Sequence, residues 1–366
     1  MSVFERWRVQ LEQLRQEGRH RILQPPAGID FSSNDYLGYS KIATTSAVEL
    51  ARSGTASRLL RGQQPIWDKV EARLAAWHGA EAALMLTSGY AANEGLLSTV
   101  VAPSDLVFSD QFNHASIIDG IKLSRAEKII YRHNDLDELS MRLQERRARR
   151  GAQQAWFIVT ESLFGMEGDV APLRELAELA QANDAHLIVD EAHATGCFGA
   201  HGSGLIDALG LRQRVLATVH TGGKALAVTG GYIVGTRLLK ELLINRCRQL
   251  IFTTALPPQI GTWWLQTLDR VYDDASARAA LHDRAGELRR ELSARDITAG
   301  GTHYIVSIVL GTDETALAAA RVLQEAGFDV RAIRPPTVPL NTARLRISIH
   351  ADHSPNLIRE LVGAIA

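Results

Sequence analysis

Asp190-Glu191-Ala192-His193 and Thr221-Gly222-Gly223-Lys224 decide how this chain is read. Each follows a short apolar run, Leu187–Val189 and Val215–Val219, with the length and β-branched content of a buried strand. Each places a chemically capable side chain where a strand runs out into a loop. A lysine at one strand end, with an Asp and a His at another, points to a bound aldehyde cofactor. A desolvated lysine loses its proton readily and attacks a carbonyl as a free amine. A carboxylate facing a protonated ring nitrogen makes that ring a better electron sink. Gly222 and Gly223 leave space for a planar ring, and Thr221 adds a hydroxyl. Two plainer readings stand beside this one: Lys224 as a solvated loop charge, and Asp190 as the partner of a nearby Arg.

Five more apolar runs surround this pair: Ala83–Leu86, Leu106–Phe108, Lys128–Tyr131, Trp156–Val159 and Tyr232–Val234. Helical patterns separate most of them, such as 172–182 with Pro172 at its first position. Seven runs in this rhythm predict an α/β fold with a mostly parallel seven-stranded sheet covered on both faces. Ligands of such sheets gather at the carboxyl ends of the strands. The polar clusters Thr87-Ser88-Gly89, Ser109-Asp110 and Glu161-Ser162 fall at those ends too.

Flanking segments complete the plan. The spacing predicts an amphipathic helix over 4–19, with Trp7, Leu11 and Leu14 on one stripe. A polar turn, Phe31 to Gly38, and a small-residue loop, Ser53 to Gly62, precede a helix over 65–78 with Ile66, Val70, Leu74 and Trp77 inward. Residues 259–295 read as long helices with Trp263, Trp264, Leu268 and Val271 as their core stripe. A smaller α/β unit closes the chain: a strand at Tyr304–Leu310, a helix at 314–326, strands near Asp329–Ala332 and Arg344–Ile349, and a terminal helix. The expected division is an N-terminal segment (1–36), a large domain (37–272) and a small C-terminal domain (273–366).

Composition narrows the function. The chain has 366 residues, enough for one large α/β domain and a smaller one. Lys plus Arg number 40 against 41 Asp plus Glu, so no global field recruits nucleic acid or an anionic membrane. The two cysteines, Cys197 and Cys247, do not suggest a disulfide framework, and a cytoplasmic location is expected. No apolar run approaches the roughly 20 residues of a membrane span. The basic run Arg146–Arg150 reads as a solvated helix end.

Three further stretches bear on a site. Ser88-Gly89-Tyr90 ends a strand and opens a helix, where backbone N–H groups and a hydroxyl suit a phosphate. Asn113-His114-Ala115-Ser116 brings an imidazole to another strand end. Arg334-Pro335-Pro336-Thr337-Val338-Pro339 is stiff and extended, and Arg344 and Arg346 share one face of the strand that follows. That face is either solvated surface or a fork for a substrate carboxylate.

In this order the pieces resemble the α-oxoamine synthases, pyridoxal 5′-phosphate (PLP) enzymes with the aspartate aminotransferase fold (fold type I). The likeness runs from Asn34 to about Ile349. It rests on Asn34-Asp35-Tyr36-Leu37-Gly38, Ser88-Gly89-Tyr90, Ser109-Asp110, Asn113-His114-Ala115-Ser116, Glu161-Ser162, Asp190-Glu191-Ala192-His193 and Thr221-Gly222-Gly223-Lys224. Ala332 to Pro339 looks most like the biotin-pathway member, which joins L-alanine to a pimeloyl thioester of CoA or acyl-carrier protein. The resemblance implies that Lys224 carries PLP, Asp190 pairs with its ring nitrogen, His193 with its phenolic oxygen, and His114 lies on the ring. It implies Ser88, Gly89, Tyr90, Glu161 and Thr221 around the cofactor, and Thr253 or Thr254 reaching the phosphate of a neighbouring subunit in a homodimer. Asn34 and Arg346 would hold the amino-acid carboxylate, with Arg21, Arg334 and Thr337 nearer the acyl entrance. Four features depart from the pattern: Gly165 where a Ser is common, Trp67 where a His is common, a short spacing between Arg21 and Asn34, and Asn341 where a Gly is usual.

Overall fold

The computed structural model describes residues 3–20, 26–42, 52–148, 150, 151 and 154–365. A short strand β1 (Ile29–Asp30) leads into the larger sheet. Its strands are β2 (Ala82–Leu86), β3 (Leu106–Asp110), β4 (Glu127–Tyr131), β5 (Trp156–Glu161), β6 (Ala185–Asp190), β7 (Ala217–Thr221) and β8 (Gly231–Gly235). They form one sheet in the order β2-β8-β7-β6-β5-β3-β4. Only β8 runs against its neighbours β2 and β7; the remaining pairs are parallel. All seven predicted runs are strands of this sheet.

Apart from the edge strand β4, which is mostly exposed, the strands read as apolar runs because both faces are covered. Alternate residues point to opposite faces, and the core divides accordingly. Leu84, Leu86, Val107, Phe157, Val159, Ile188, Val219 and Ile233 pack into one cluster. Ala83, Met85, Leu106, Phe108, Ile158, Leu187, Val189, Tyr232 and Val234 pack into the other. Helices cover each face with one apolar stripe. In Leu173–Ala182 the stripe is Leu173, Leu176, Ala177 and Ala180, at helical spacing. Pro172 is the N-cap of that helix and not its first residue.

The smaller unit is a three-stranded antiparallel sheet, β11-β12-β9, from β9 (Ile305–Gly311), β11 (Arg331–Ile333) and β12 (Ala343–Ser348). Strand β10 (Phe328–Asp329) pairs with β1, so the segment before the large domain is stitched to the C-terminal unit. Helices Pro258–Asp273 and Ala275–Ser293 link the units; Trp264, Leu268 and Val271 are buried, while Trp263 is half-buried. Both cysteines are free and buried. Among the described residues no helix is long and apolar enough to cross a membrane.

Two helix readings need correction. The first helix runs Val3–Gln16 and none of its residues is buried. Trp7, Leu11 and Leu14 form the predicted stripe, yet each is exposed in the single chain. In helix Pro65–Trp77 the fully buried tryptophan is Trp67, whereas Ile66 and Trp77 are only half-buried.

Candidate active site

Lys224 and His193 meet at the ends of β7 and β6, with Lys224 Nζ 2.8 Å from His193 Nε2. Hydrogen-bond bookkeeping fixes the state of the ring. Arg346 Nη2 reaches Asn34 Oδ1 at 2.8 Å, and a guanidinium only donates, so that atom is the amide oxygen. The Tyr36 hydroxyl, 2.9 Å away, donates to the same oxygen. His193 Nδ1 therefore donates to the Tyr36 oxygen across 2.7 Å, and its Nε2 lone pair accepts from Lys224. Burial, with the charges of Lys224 and Arg346, holds the His193 pKa well below its ordinary value, so the ring is neutral. One hydrogen-bonded chain thus joins Lys224 to Arg346, its bonds converging on the Asn34 oxygen. Tyr36 sits at its centre, and sequence reasoning gave it no role.

The Lys224 amine is pushed down to about 8, chiefly by burial, against the pull of Asp190 and Glu161. Such an amine is unprotonated far more often near neutral pH than an ordinary lysine, whose pKa is about 10.4. Asp190 and Glu161 lie side by side in register on β6 and β5. Burial and then the Asp190 charge raise the Glu161 carboxyl well above its usual range, against the pull of the Lys224 ammonium.

Asp190 does not take the Arg partner that the plainer reading offered. Asn93 Nδ2 donates to Asp190 Oδ2 at 2.6 Å and to Ser116 Oγ at 3.0 Å. The Ala192 N–H donates to Asp190 Oδ1 at 2.7 Å. Ser116 then presents both its hydroxyl and its backbone N–H to His114 Nδ1, at 2.7 and 3.2 Å. His114 is therefore a neutral ring with its proton on Nε2, and burial keeps its pKa low. It also caps helix Ala115–Ser124. Asn93 links the carboxylate to the imidazole, a role that a single polar residue inside a helix does not advertise.

Ser88 caps helix Gly89–Val100, accepting from the Ala91 N–H at 3.1 Å. The first N–H groups of a helix have no partner within it and face outward. The turn is packed hard against β7 and β8. A Cβ on Gly89 would lie 3.0 Å from Thr221 Cβ, and one on Gly231 would lie 2.4 Å from Gly89 N. Glycine is needed at both places for this close approach. The Tyr90 hydroxyl turns away to Asp119, so Tyr90 offers its backbone and its ring edge, 6.1 Å from His114.

Residues 26–365 match the family model described as aminotransferase class I and II. The chain belongs to this family, in its α-oxoamine synthase branch. It is 43% identical to 8-amino-7-oxononanoate synthase of Anaeromyxobacter dehalogenans, over 98% of this chain and 94% of that protein. Among solved structures, serine palmitoyltransferase of S. paucimobilis with bound PLP and myriocin superposes with a TM-score of 0.90. That match is 27% identical and covers 100% of this chain and 98% of the other. Francisella tularensis 8-amino-7-oxononanoate synthase gives 0.76 at 30% identity, over 92% and 96% of the two chains.

This family member fits the family's cofactor, PLP, on its own residues. An amine with lowered pKa lies beside a buried carboxylate, a neutral imidazole and an open helix start with a glycine cradle.

The remaining predicted residues are scattered. Arg334 donates to the Gly18 carbonyl and so ties down the exit of the first helix. Thr337 is exposed in the following turn. Arg344 donates to Glu167 Oε1 at 3.1 Å and is not free to form a fork with Arg346. Thr253 and Thr254 line a recess of about 300 Å³ with Arg58, Trp67 and Thr87, the last of these adjoining Ser88. The buried Trp67 indole nitrogen has no hydrogen-bond partner there. Arg21 lies outside the described residues.

Proposed function

We propose that this chain is an 8-amino-7-oxononanoate synthase, condensing L-alanine with a pimeloyl thioester and releasing CO2 and the thiol. The observation that carries the reading is the near full-length match to a synthase of that name at 43% identity. Serine palmitoyltransferase is the better superposition, but its 27% identity supports the fold and the shared chemistry more than the substrate.

The residue roles proposed here rest on the family resemblance and draw support from the geometry. When bound, PLP supplies an electron sink for negative charge developing at the amino-acid Cα. Lys224 holds the cofactor and, once released, its amine takes the Cα proton; a pKa near 8 suits a base at neutral pH. Asp190, steadied by Asn93, faces the ring nitrogen, with Glu161 beside it in register. His114 covers the ring, and His193 meets its phenolic oxygen. Ser88, Gly89, Tyr90 and Thr221 hold the phosphate. Asn34 and Arg346 take the amino-acid carboxylate, and their grip sets which Cα bond stands perpendicular to the ring. Arg21, Arg334 and Thr337 lie toward the acyl entrance.

We place Thr253 and Thr254 at the phosphate of a second copy, because their recess adjoins the Ser88 turn and holds an unpartnered indole nitrogen. Mixing inactive Lys224→Ala and Thr253→Ala/Thr254→Ala proteins should then restore activity in hybrid dimers. A cytoplasmic location agrees with two free, buried cysteines. The deciding experiment is thiol release by purified holoenzyme with L-alanine, glycine or L-serine against thioesters of several lengths, on CoA and on carrier protein. L-alanine with the pimeloyl thioester should be fastest. A tenfold preference for glycine or serine would assign a different synthase activity.

A further inference from the structure

The turn closed by the Leu163–Val170 bridge sits between the two domains and touches both. On the small-domain side, Arg346 Nε donates to the Gly165 carbonyl at 2.5 Å, and the Thr302 N–H donates to the Gly168 carbonyl at 2.8 Å. A Cβ on Gly168 would lie 2.1 Å from the Ile305 carbonyl oxygen, so the turn and the start of β9 are in direct backbone contact. Beside the site, the Ser162 N–H donates to the Asp190 carbonyl at 2.8 Å, and a Cβ on Gly165 would lie 2.3 Å from His193 Nε2.

A residue outside every motif above anchors this turn to the sheet. His133, just past β4, bonds Asp110 Oδ1 through Nδ1 at 2.9 Å and Asp169 Oδ2 through Nε2 at 2.8 Å. Asp110 ends β3 and also accepts from the Phe112 and Asn134 N–H groups, both at 2.8 Å. Asp169 belongs to the turn, where its carbonyl accepts from the Phe164 N–H at 2.9 Å. Phe112 and Phe164 pack on the His133 ring, with centroids 4.7 and 4.4 Å away. Burial works against a charge on this ring. The two carboxylates outweigh it and lift the pKa to about 10, so His133 is an imidazolium donating from both nitrogens.

We propose that His133 is a positioning residue for the amino-acid carboxylate. Pinning Asp169 fixes the Leu163–Val170 turn, and the Gly165 carbonyl of that turn orients the Arg346 guanidinium. The proposal rests on Arg346 being the carboxylate site of the condensation proposed above. Four contacts constrain Arg346: Asn34, Ser348 Oγ at 2.7 Å, Gly165, and a longer one to the Tyr36 hydroxyl at 3.4 Å. Only the third comes from the turn of the large domain. Cutting the His133–Asp169 link loosens that one constraint, leaving Asp169 the Asn134 Nδ2 donor at 3.1 Å, and it breaks none of the side-chain bonds of Lys224, the Asp190 carboxylate or Ser88.

The test is a spectral titration of PLP-loaded protein with L-alanine, giving a dissociation constant without turnover. His133→Gln loses the charge and one bridge; Asp169→Ala cuts the same link from the turn and serves where the first variant folds poorly. Either should weaken L-alanine binding about tenfold and leave PLP content and the thioester KM within about twofold. In an Arg346→Lys background the same change should have little further effect, because residues acting through one another are not additive. Wild-type protein that binds L-alanine while both variants bind it equally well overturns the proposal alone. Additive losses in the double variant also overturn it. Wild-type protein that binds no amino acid overturns the functional reading itself.

Discussion

Lys224 Nζ lies 2.8 Å from His193 Nε2, and through that ring it connects to Tyr36, Asn34 and Arg346. Lys224 and Arg346 therefore stand at the two ends of one hydrogen-bonded chain whose bonds converge on the Asn34 amide oxygen, where Tyr36 and Arg346 both donate.

The lowered pKa of Lys224 makes the first prediction. Burial disfavours the ammonium, so the neutral amine forms as pH rises through about 8 and not through the ordinary lysine range. The rate of PLP uptake by apoprotein should rise with pH through a midpoint near 8 and level off above it. Stopped-flow absorbance measures this. A midpoint near 10 would mean that the amine is solvated and that the desolvation argument fails. Lys224→Ala should show no borohydride-reducible absorbance and should lose at least about a thousandfold in turnover.

Asn93→Ala leaves the buried Asp190 oxygen without its side-chain donor and frees Ser116 from its place against His114. Leaving a buried charged acceptor short of one partner costs about 1–3 kcal/mol. The variant should unfold at lower denaturant concentration and hold PLP more weakly. Its PLP dissociation constant, read by fluorescence quenching, checks the second effect. Unchanged affinity would show that Asp190 needs no help in facing a ring nitrogen.

Much of this was legible from the chain alone. A strand covered on both faces must be apolar throughout, so β2, β3, β5, β6, β7 and β8 stand out as runs, and the polar residues just past them stand out by contrast. Asp190, His193 and Lys224 are conspicuous for that reason. Tyr36, Asn93 and His133 are not. Tyr36 meets His193 from 157 positions away, and Asn93 meets Asp190 from 97. Nothing local distinguishes a helix Asn that reaches a distant carboxylate from one that faces water. Strand spacing correctly put Arg344 and Arg346 on one face, yet only the fold shows that Glu167 takes the first and Asn34 the second. The exposed stripe of the first helix has the same lesson: periodicity predicts the helix but not what its apolar face covers.

Gly165 is a further departure with a measurable consequence. A Cβ there would stand 2.3 Å from His193 Nε2 and 2.9 Å from Cε1, closer than real contacts allow. Gly165→Ala should therefore displace the His193 ring and cost about 1–3 kcal/mol by overpacking. Denaturant unfolding of the apoprotein measures the cost. A variant as stable as the wild type would show that the ring moves aside freely.

Tyr36→Phe tests the chain that joins Lys224 to Arg346. In the wild type the Tyr36 oxygen accepts from His193 Nδ1, which keeps Nε2 bare and able to accept from Lys224. Without the hydroxyl, Nδ1–H loses its acceptor, and the neutral ring gains by moving its proton to Nε2. That proton then points at the lysine, and the ammonium loses an acceptor while staying buried. The Lys224 pKa should fall further, by about one unit, equivalent to one charged hydrogen bond of ~1.4 kcal/mol. The midpoint for PLP uptake should move below 8, the opposite direction from simple exposure of the site to water, which would move it up. L-alanine binding should weaken as well, because Asn34 loses the O–H that helps hold its oxygen toward Arg346. A midpoint that stays or rises would show that the His193 proton is not set by Tyr36, and the two ends of the site would then act independently.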